Sequence, residues 1–466
     1  MILTTLPNEL LSKILEMVDA SCTLTNVSLT CKHLNDIAEP LMYRGYTQRN
    51  KSSVGRFAKA LVSRPHLIEY VKFFDGSTSQ PSVKLRSGTK SVVNLQAANR
   101  IDDLTNEQSK WIRQSLPDAV YGTEFCDVWY RKLTEWFDNW DAVLGFLFHI
   151  CSRSLTSISL QIAGPMPPYS LAVLEQAIKE QHISVDGAML ANLREVHLKH
   201  DSEAGKLHRG LKASFVFPFF RLKSVVAISM TRIHNDTALT SEFSDQHVSA
   251  IKYLALIDSR LPRTSVQNVL RCFNSLQFFQ YQHARLGEME SVTQFCPTAV
   301  LNGLDRSKHC LEQLILSDKG QLNYMHDTRP DGEYEPAESF EGFRRLRSLS
   351  VDAYVLLGPE EVEFIGERAA GQDRFQHSPE QCLEAVASLP LVLEELRIMK
   401  CRTSIFSFLG ALMPKNGPGP CPKLKSIHLV FGIKTQTFVV PNIWTYWKEK
   451  ALERGIVLTR TGLDRH

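Results

Sequence analysis

The stretch "NLREVHLK" (192–199) carries a pattern that recurs along the chain. Its apolar residues are Leu193, Val196 and Leu198, and the residues between them are polar or charged. Apolar side chains two positions apart are typical of a strand that buries one side, because successive side chains of a strand point to opposite faces. The segment "KLKSIHLV" (423–430) repeats the pattern. Each copy predicts a short, half-buried strand.

Nine copies of this pattern follow one another between residues 155 and 429. They are Leu155-Ile158-Leu160, Leu193-Val196-Leu198, Leu222-Val225-Ala227, Ile251-Leu254-Leu256, Leu276-Phe279-Tyr281, Leu311-Leu314-Leu316, Leu346-Leu349-Val351, Leu393-Leu396-Ile398 and Leu424-Ile427-Leu429. The triplet alone is weak evidence, because a chain with 43 % hydrophobic residues produces it by chance at about 8 % of positions. The spacing strengthens it: successive copies start between 25 (251 to 276) and 47 (346 to 393) residues apart, which leaves room for a helix in each interval.

Helical patterns occupy several of these intervals. Ser170 precedes "LAVLEQAIKE" and Ser265 precedes "VQNVLRCF". Ser378-Pro379-Glu380 precedes "QCLEAVASL", with proline at the first helical position, where its missing N–H costs nothing. The sequence therefore predicts repeated strand–helix units over residues 151–466.

Such units resemble irregular leucine-rich repeats. The resemblance implies an α/β solenoid in which parallel strands line a concave face and helices lie on the convex side. No unit buries its strand alone, so neighbouring units share one core. The segment "NIWTYWKEKALERGIVLTRTG" (442–462) places Trp444 and Trp447 on a helix before a strand at Ile456 to Leu458, and it is predicted to cap the solenoid.

A closed eight-stranded α/β barrel is the alternative architecture, since it also consists of strand–helix units. Asp258, Asp318 and Asp352 would then stand at the carboxyl ends of strands, where the catalytic carboxylates of a barrel hydrolase belong. Barrel strands are buried on both sides and should be apolar nearly throughout. Polar residues interrupt the predicted strands at Ser159, His197, Gln280, Arg397 and His428. The pattern therefore favours the solenoid.

The N-terminal stretch "LTTLPNELLSKILEMV" (3–18) predicts a helix that begins at Pro7. At about 100° per residue, one arc of roughly 160° holds Leu10, Leu11, Ile14, Leu15, Met17 and Val18. A second helical stripe follows at Leu24, Val27, Cys31 and Leu34, and a third segment reaches Pro40, which ends or bends it. Three helices in about 45 residues are too small to bury this apolar surface alone. The body of the protein or a partner must cover the rest.

Residues 6–15, Leu-Pro-x-Glu-Leu-Leu-x-x-Ile-Leu, resemble the first helix of an F-box. The stretch "LTNVSLTCKHLNDIAEPLMYR" (24–44) resembles the second half of the motif as it appears in F-box proteins of filamentous fungi. The resemblance implies a three-helix module at 1–46 that docks the Skp-type adaptor of an SCF-type ubiquitin ligase, and through it a cullin. The adaptor-binding positions it implies are Leu6, Pro7, Leu10, Leu11, Ile14, Leu15 and Leu34. The alternative is a plain N-terminal pair of core helices.

Residues 47–150 are predicted to link the module to the repeats through helices, a first strand and a polar loop. The segment 52–74 predicts a helix followed by a strand that includes Ile68, Val71 and Phe73. From Val128 to about Cys151 the chain is predicted to be helical. Its tryptophans are interpreted as core anchors; they are Trp129, Trp136 and Trp140.

The outward side chains of the predicted strands form the candidate surface for a protein substrate, because they alternate with the buried ones. The residues placed there are His197, Tyr253, Phe278, Gln280, Ile315, Arg397 and His428. The acidic stretch "PDGEYEPAESFEG" (330–342) is predicted to be a loop between repeats and is a second candidate contact.

Known catalytic and cofactor motifs are absent: the chain has no G-x-S-x-G, no H-E-x-x-H, no Rossmann glycine fingerprint and no kinase signature. We therefore expect a non-enzymatic adaptor without cofactor or metal, with two alternatives: a barrel hydrolase, and an F-box scaffold that acts outside a ligase. The net charge of +3 gives no argument for nucleic acid. No apolar run approaches the roughly 18 residues that span a bilayer, and no secretory signal is found. A cytoplasmic or nuclear protein without membrane contact is expected.

Overall fold

The computed structural model describes most of the chain. The described residues are 6–18, 21–47, 53–76, 101, 104–134, 140–162, 168–200, 211–212, 216–234, 249–284, 295–319, 337–358, 361–363, 374–415, 417, 419–431 and 441–462. The chain divides into two compact units, Met1–Ile228 and Ser229–His466. Among the described helices, none has the length and apolar character needed to cross a membrane.

The first unit begins with helices and continues into parallel strands. Its described helices are α1 (Asn8–Glu16), α2 (Ser21–Ser28), α3 (Lys32–Met42), α4 (Ser53–Ser63), α5 (Asn106–Ser115), α6 (Asp118–Tyr121), α7 (Thr123–Thr134), α8 (Trp140–Ile150), α9 (Pro168–Ile183) and α10 (Phe217–Arg221), and a 3₁₀-helix covers Pro65–Tyr70. Its strands are β1 (Gly45–Thr47), β2 (Phe73–Gly76), β3 (Ser157–Ile162), β4 (Glu195–His200) and β5 (Leu211–Lys212), and β6 (Ala227–Thr231) contains the boundary between the units. Strands β1 to β4 pair in chain order, and every pairing is parallel.

The second unit alternates strands and helices. Its described strands are β7 (Ile233–His234), β8 (Tyr253–Ser259), β9 (Phe278–His283), β10 (Gln313–Asp318), β11 (Ser348–Asp352), β12 (Glu361–Glu363), β13 (Arg374–Gln376), β14 (Glu395–Cys401), β15 (Ser426–Phe431) and β16 (Val457–Gly462). Its helices are α11 (Arg263–Arg271), α12 (Pro297–Gly303), α13 (Ala353–Leu357), α14 (Pro379–Ala387), α15 (Ile405–Leu412) and α16 (Pro441–Glu453), with a 3₁₀-helix at Asp305–Ser307. Strands β8, β9, β10, β11, β14, β15 and β16 pair in this order, all parallel, and β12 pairs with β13 in an antiparallel hairpin.

The parallel strands of the second unit bury one face in continuous rows. The row at the centre of the face is fully or almost fully buried and consists of Leu254, Phe279, Leu314, Leu349, Leu396, Ile427 and Leu458. Each member lies directly beside the next, because adjacent parallel strands place equivalent residues side by side. Burial of one such side chain contributes roughly 1.5–3 kcal/mol. A strand therefore depends on both neighbours for the burial of its apolar residues.

Strands occur at all nine predicted positions, and at one of them the predicted register is wrong. The amides of Val226 and Ala227 donate to the carbonyl of Arg194, as Arg194 and Glu195 donate to Thr156 in the preceding strand. The inward residues of β6 are therefore Ile228 and Met230. The observed triplet is Val225-Ile228-Met230, and all three residues are buried. The predicted triplet Leu222-Val225-Ala227 lies three residues too early. Leu222 and Val225 are both buried and apolar. The apolar spacing therefore fits a triplet that begins at either residue.

The alternative of a closed barrel is wrong. In the described part of the second unit, β16 pairs with β15 alone, and β1 in the first unit pairs with β2 alone. The sheet is open at these edges. Strand β9 also alternates half-buried and buried residues along its whole length, instead of being buried on both sides.

Three predicted helices and strands have different boundaries from those expected. The stripe predicted as one helix at 24–34 ends at Ser28 and restarts at Lys32, and α3 continues through Pro40 to Met42. The strand predicted around Ile68 is a 3₁₀-helix, and the strand begins at Phe73. The helix expected at 128–151 forms two helices, α7 and α8. Trp129 is fully buried as predicted and donates to the carbonyl of Ala142 at 2.9 Å, whereas Trp136 lies outside the described residues.

Glycine permits a close crossing between α8 and the start of α9. A Cβ on Gly145 would lie 2.8 Å from the backbone carbon of Tyr169, closer than real Cβ contacts allow. The same crossing is fixed by Asp141, which accepts from the amides of Tyr169 (2.9 Å) and Ser170 (3.0 Å) and from the Ser170 hydroxyl (2.6 Å). Asp141 therefore caps a neighbouring helix, and it holds α9 against α8.

Gly145→Ala is expected to lower the free energy of unfolding by about 1–2 kcal/mol, because overpacking costs more than the roughly 1 kcal/mol that alanine gains over glycine in a helix. The matched control is Gly410→Ala in α15, where the added Cβ has only Trp447 at 3.5 Å. That variant should raise the free energy of unfolding by about 0.5–1 kcal/mol. Guanidinium unfolding of both variants measures the change in the free energy of unfolding, which should be negative for Gly145→Ala and positive for Gly410→Ala. Stabilisation by Gly145→Ala would contradict the close crossing.

Candidate functional site

The three N-terminal helices form a small module with its own core. Leu15 of α1, Leu24 of α2 and Ala38 of α3 pack together, and partly buried apolar residues surround them. Among the residues predicted to bind the adaptor, Leu11, Leu15 and Leu34 are buried. These three side chains therefore stabilise the module, and they present no surface to a partner.

The outward side of α1 is also apolar. Leu10 is 48 % exposed, Ile14 is 42 % exposed and Met17 is 77 % exposed. Spacings of four and three residues place them on one side of the helix, and we call these three residues the docking stripe. Pro7 is exposed and Leu6 is half-buried at the start of the same helix. The wide arc seen in the sequence thus divides into a buried half and an exposed half.

The sequence prediction missed one exposed apolar residue. Leu29 is 79 % exposed in the break between α2 and α3. The spacing of Leu24, Val27 and Cys31 predicts one continuous helix, and it gives no sign that the helix ends at Ser28 and leaves Leu29 in the connection to α3.

Aromatic and ionic contacts join the module to the following strands. Only Tyr43 and Arg44 separate α3 from β1. The ring of Tyr43 stacks on Phe57 of α4 with centroids 6.1 Å apart, and the Arg64 guanidinium lies 5.3 Å from the Tyr43 ring and forms an ion pair with Glu39. The carbonyl of Arg44 accepts from the amide of Lys72 at 2.7 Å. The module is therefore fixed to the first strands of its unit.

The comparison with known families matches this module. Residues 3–49 match the F-box-like family, and the match includes α1, α2, α3 and β1. These residues form an F-box-like domain, as the resemblance of 6–15 and 24–44 predicted. No curated protein matches the chain.

The second unit presents an outward face opposite its buried rows, which we call the open face. The open face is defined by Tyr253, Phe278, Gln280, Ile315, Glu395, Arg397, His428 and Thr459. In the register of the strands, Tyr253 lies beside Phe278, and Gln280 lies beside Ile315. Arg397 lies beside His428, which lies beside Thr459. Six of the seven residues predicted for substrate binding thus share one face.

His197, the seventh predicted residue, lies in the first unit. It is on β4 beside Ser159 of β3, and its side chain is partly exposed. Its Nε2 lies 4.0 Å from a carboxylate oxygen of Glu195.

Charge on the open face is concentrated at the edge formed by β14, β15 and β16. Arg397 is exposed, and its backbone lies beside that of His428. His428 contacts the hydroxyls of Thr459 at 2.7 Å and Thr461 at 3.1 Å, one through each ring nitrogen. Burial and the nearby positive charge of Arg397 lower the pKa of His428. The imidazole is therefore neutral at pH 7, and Arg397 supplies the positive charge here.

The carboxylates of the barrel alternative lie at the carboxyl ends of their strands, where they form ion pairs and hydrogen bonds. Asp258 pairs with Lys319 at 2.5 Å. Asp352 is buried; its Oδ2 accepts from the amide of Asp318 at 2.8 Å and lies 3.2 Å from the Nζ of Lys400. Lys400 also donates to the carbonyl of Asp318. These groups bind one another across β8, β10, β11 and β14.

Two strand irregularities direct these ion pairs. The register shifts between Leu256 and Ser259 in β8 and between Ile398 and Cys401 in β14. Asp258 and Lys400 lie inside these irregularities with φ of 51° and 55°, in the left-handed region that non-glycine residues rarely adopt. In the described part of the chain, no group of three or more His, Cys, Asp or Glu side chains is arranged to hold a metal ion.

Burial shifts the titration of Asp352. It raises the pKa of the carboxyl from its ordinary value of 3.8 to about 6, against the opposing charge of Lys400. A folded-state pKa above the unfolded one means that the folded chain binds this proton more firmly. The resulting stabilisation is complete below about pH 4 and is lost as the pH rises through about 6.

Asp352→Asn is expected to remove this pH dependence. The wild-type free energy of unfolding should fall between pH 4 and pH 7 by up to about 3 kcal/mol more than that of the variant, since one pKa unit is about 1.4 kcal/mol. The two proteins should differ least at pH 4, where Asp352 is protonated and the asparagine amide replaces a neutral carboxyl. Urea unfolding at several pH values measures the slope. Parallel stability curves for the two proteins would contradict the assignment.

Proposed function

We propose that this chain is a substrate-recognition adaptor of an SCF-type ubiquitin ligase. The F-box-like domain docks a Skp-type adaptor, and the strand–helix units, which we interpret as irregular leucine-rich repeats, bind a protein substrate. The observation that carries the proposal is the docking stripe: an F-box-like match at 3–49 coincides with exposed apolar residues on its first helix. Exposed apolar side chains grouped on one side of a helix are typical of a protein interface.

The mechanism is proximity and needs no catalytic residue in this chain. The Skp-type adaptor and the cullin bring a ubiquitin-charged enzyme to a substrate bound on the repeats. Holding both on one assembly raises the effective concentration of substrate lysines near that enzyme. We propose no catalytic, cofactor or metal site, and we assign the carboxylates Asp258, Asp318 and Asp352 to the stability of the sheet.

In this mechanism the predicted adaptor-binding residues have two roles. The adaptor contacts the exposed residues Pro7, Leu10, Ile14 and Met17. Leu6 lies at the margin of this contact surface. Leu11, Leu15 and Leu34 support them from the core of the module. The distinction follows from burial. A side chain without exposed surface has no apolar area left for a partner to cover, so it contributes no further hydrophobic free energy on binding.

Leu10→Asp combined with Ile14→Asp should abolish binding of a purified Skp-type adaptor, because two carboxylates would be buried without partners at the interface. The matched control is Asn8→Asp with Ser12→Asp, which adds the same charge on the polar side of α1. The control should bind within about threefold of wild type. Calorimetric titration measures both affinities.

Circular dichroism and thermal unfolding distinguish a lost interface from a lost fold. The double variant should keep the wild-type spectrum, since both substituted side chains are exposed. Wild-type affinity in the Leu10/Ile14 variant would refute the docking role. If the adaptor binds but a reconstituted ligase transfers no ubiquitin to proteins captured by the chain, the role outside a ligase is the correct one.

A further inference from the structure

We propose that the open face recognises an extended peptide that carries an apolar side chain and a carboxylate four residues apart. This inference rests on the proposed function, because it names the class of substrate that the repeats would bind. It uses residues of the second unit only.

The apolar end of the open face lies on β8, β9 and β10. Tyr253 is exposed, and Phe278, directly beside it, is half-buried. Ile315 is half-buried on the next strand. Two aromatic rings and an aliphatic side chain on adjacent strands offer a surface for one apolar anchor of a ligand, since aromatic residues contribute strongly to interfaces.

Arg397 is the single cation among the described residues that define the open face. Among the described residues, no carboxylate forms an ion pair with Arg397. Burial and the nearby charge of Arg397 lower the pKa of His428 below its ordinary value of 6.5, which favours the neutral imidazole at pH 7, and its two ring nitrogens contact the hydroxyls of Thr459 and Thr461. Glu395 precedes Arg397 by two residues on the same face. One guanidinium beside one carboxylate suits a singly charged ligand group.

A carboxylate fits this end better than a phosphate. The guanidinium fork matches a carboxylate with two parallel hydrogen bonds. A phosphate with nearly two negative charges is normally bound by several cations. Here it would meet one cation and the repulsion of Glu395.

The strand spacing sets the distance between the two ligand groups. Phe278 and Ile315 lie three and two strands from Arg397 in the order β9, β10, β11, β14, which corresponds to about 14 and 10 Å across the sheet. Side chains on one side of an extended peptide are separated by about 7, 13 or 20 Å for spacings of two, four or six residues. A spacing of four falls between these two distances and is expected to join Arg397 to Ile315 or Phe278, whereas a spacing of six would reach Tyr253, four strands from Arg397.

The test uses synthetic peptides on the full-length protein. Each peptide places phenylalanine and glutamate two, four or six residues apart in a Gly/Ser background, in both orders. Binding is expected to be strongest at the spacing of four, and replacement of glutamate by glutamine should weaken it about 10- to 100-fold, as expected for a charge-assisted contact. Fluorescence polarisation measures the affinities.

A charge exchange separates recognition from a structural role. Arg397→Glu should lose the glutamate peptide and bind a lysine peptide of the same spacing instead. The matched control, Arg271→Glu, reverses an exposed charge at the end of α11 and should behave as wild type. No binding by any peptide, equal binding of glutamate and glutamine peptides, or tighter binding of a phosphoserine peptide would overturn the proposal. These outcomes do not depend on adaptor binding, which the Leu10/Ile14 variant tests separately.

Discussion

The structure depends on one constraint: a parallel strand with a single apolar face has to be buried by its neighbours. In the second unit this produces the in-register row from Leu254 to Leu458, in which each side chain is covered by those on either side. The hydrophobic rows lie on one face, and the opposite face carries mostly polar and aromatic side chains. The open face, with aromatic residues at one end and Arg397 at the other, follows from this division.

The same need to bury an apolar face explains the packing of the helices in the F-box-like domain. An apolar arc of about 160° is wider than one neighbour covers, and the structure buries Leu11 and Leu15 while it leaves the docking stripe exposed. The two halves have different energetic roles. The buried half maintains the module, and the exposed half is unfavourable in water until a partner covers it. A stable module and the surface proposed to bind the adaptor are thus encoded in adjacent residues of one helix.

The sequence predicted the strands because a two-residue alternation survives in every copy, and it predicted the F-box-like module from residues 6–15. It misplaced Leu222 and Val225, since spacing cannot choose between two buried apolar sets three residues apart. It could not separate Leu10 from Leu11, because hydrophobicity does not show which half of a wide arc is covered. The ion pairs of Asp258 and Lys400 depend on positive φ angles in strand irregularities, for which neither residue type gives a signal.

The connection between α3 and β1 is short. Tyr43 and Arg44 form the whole connection, and Phe57, Glu39 and Lys72 hold them in place. Under the proposed docking, a partner held on α1 would be oriented by these contacts with the first strands of its unit.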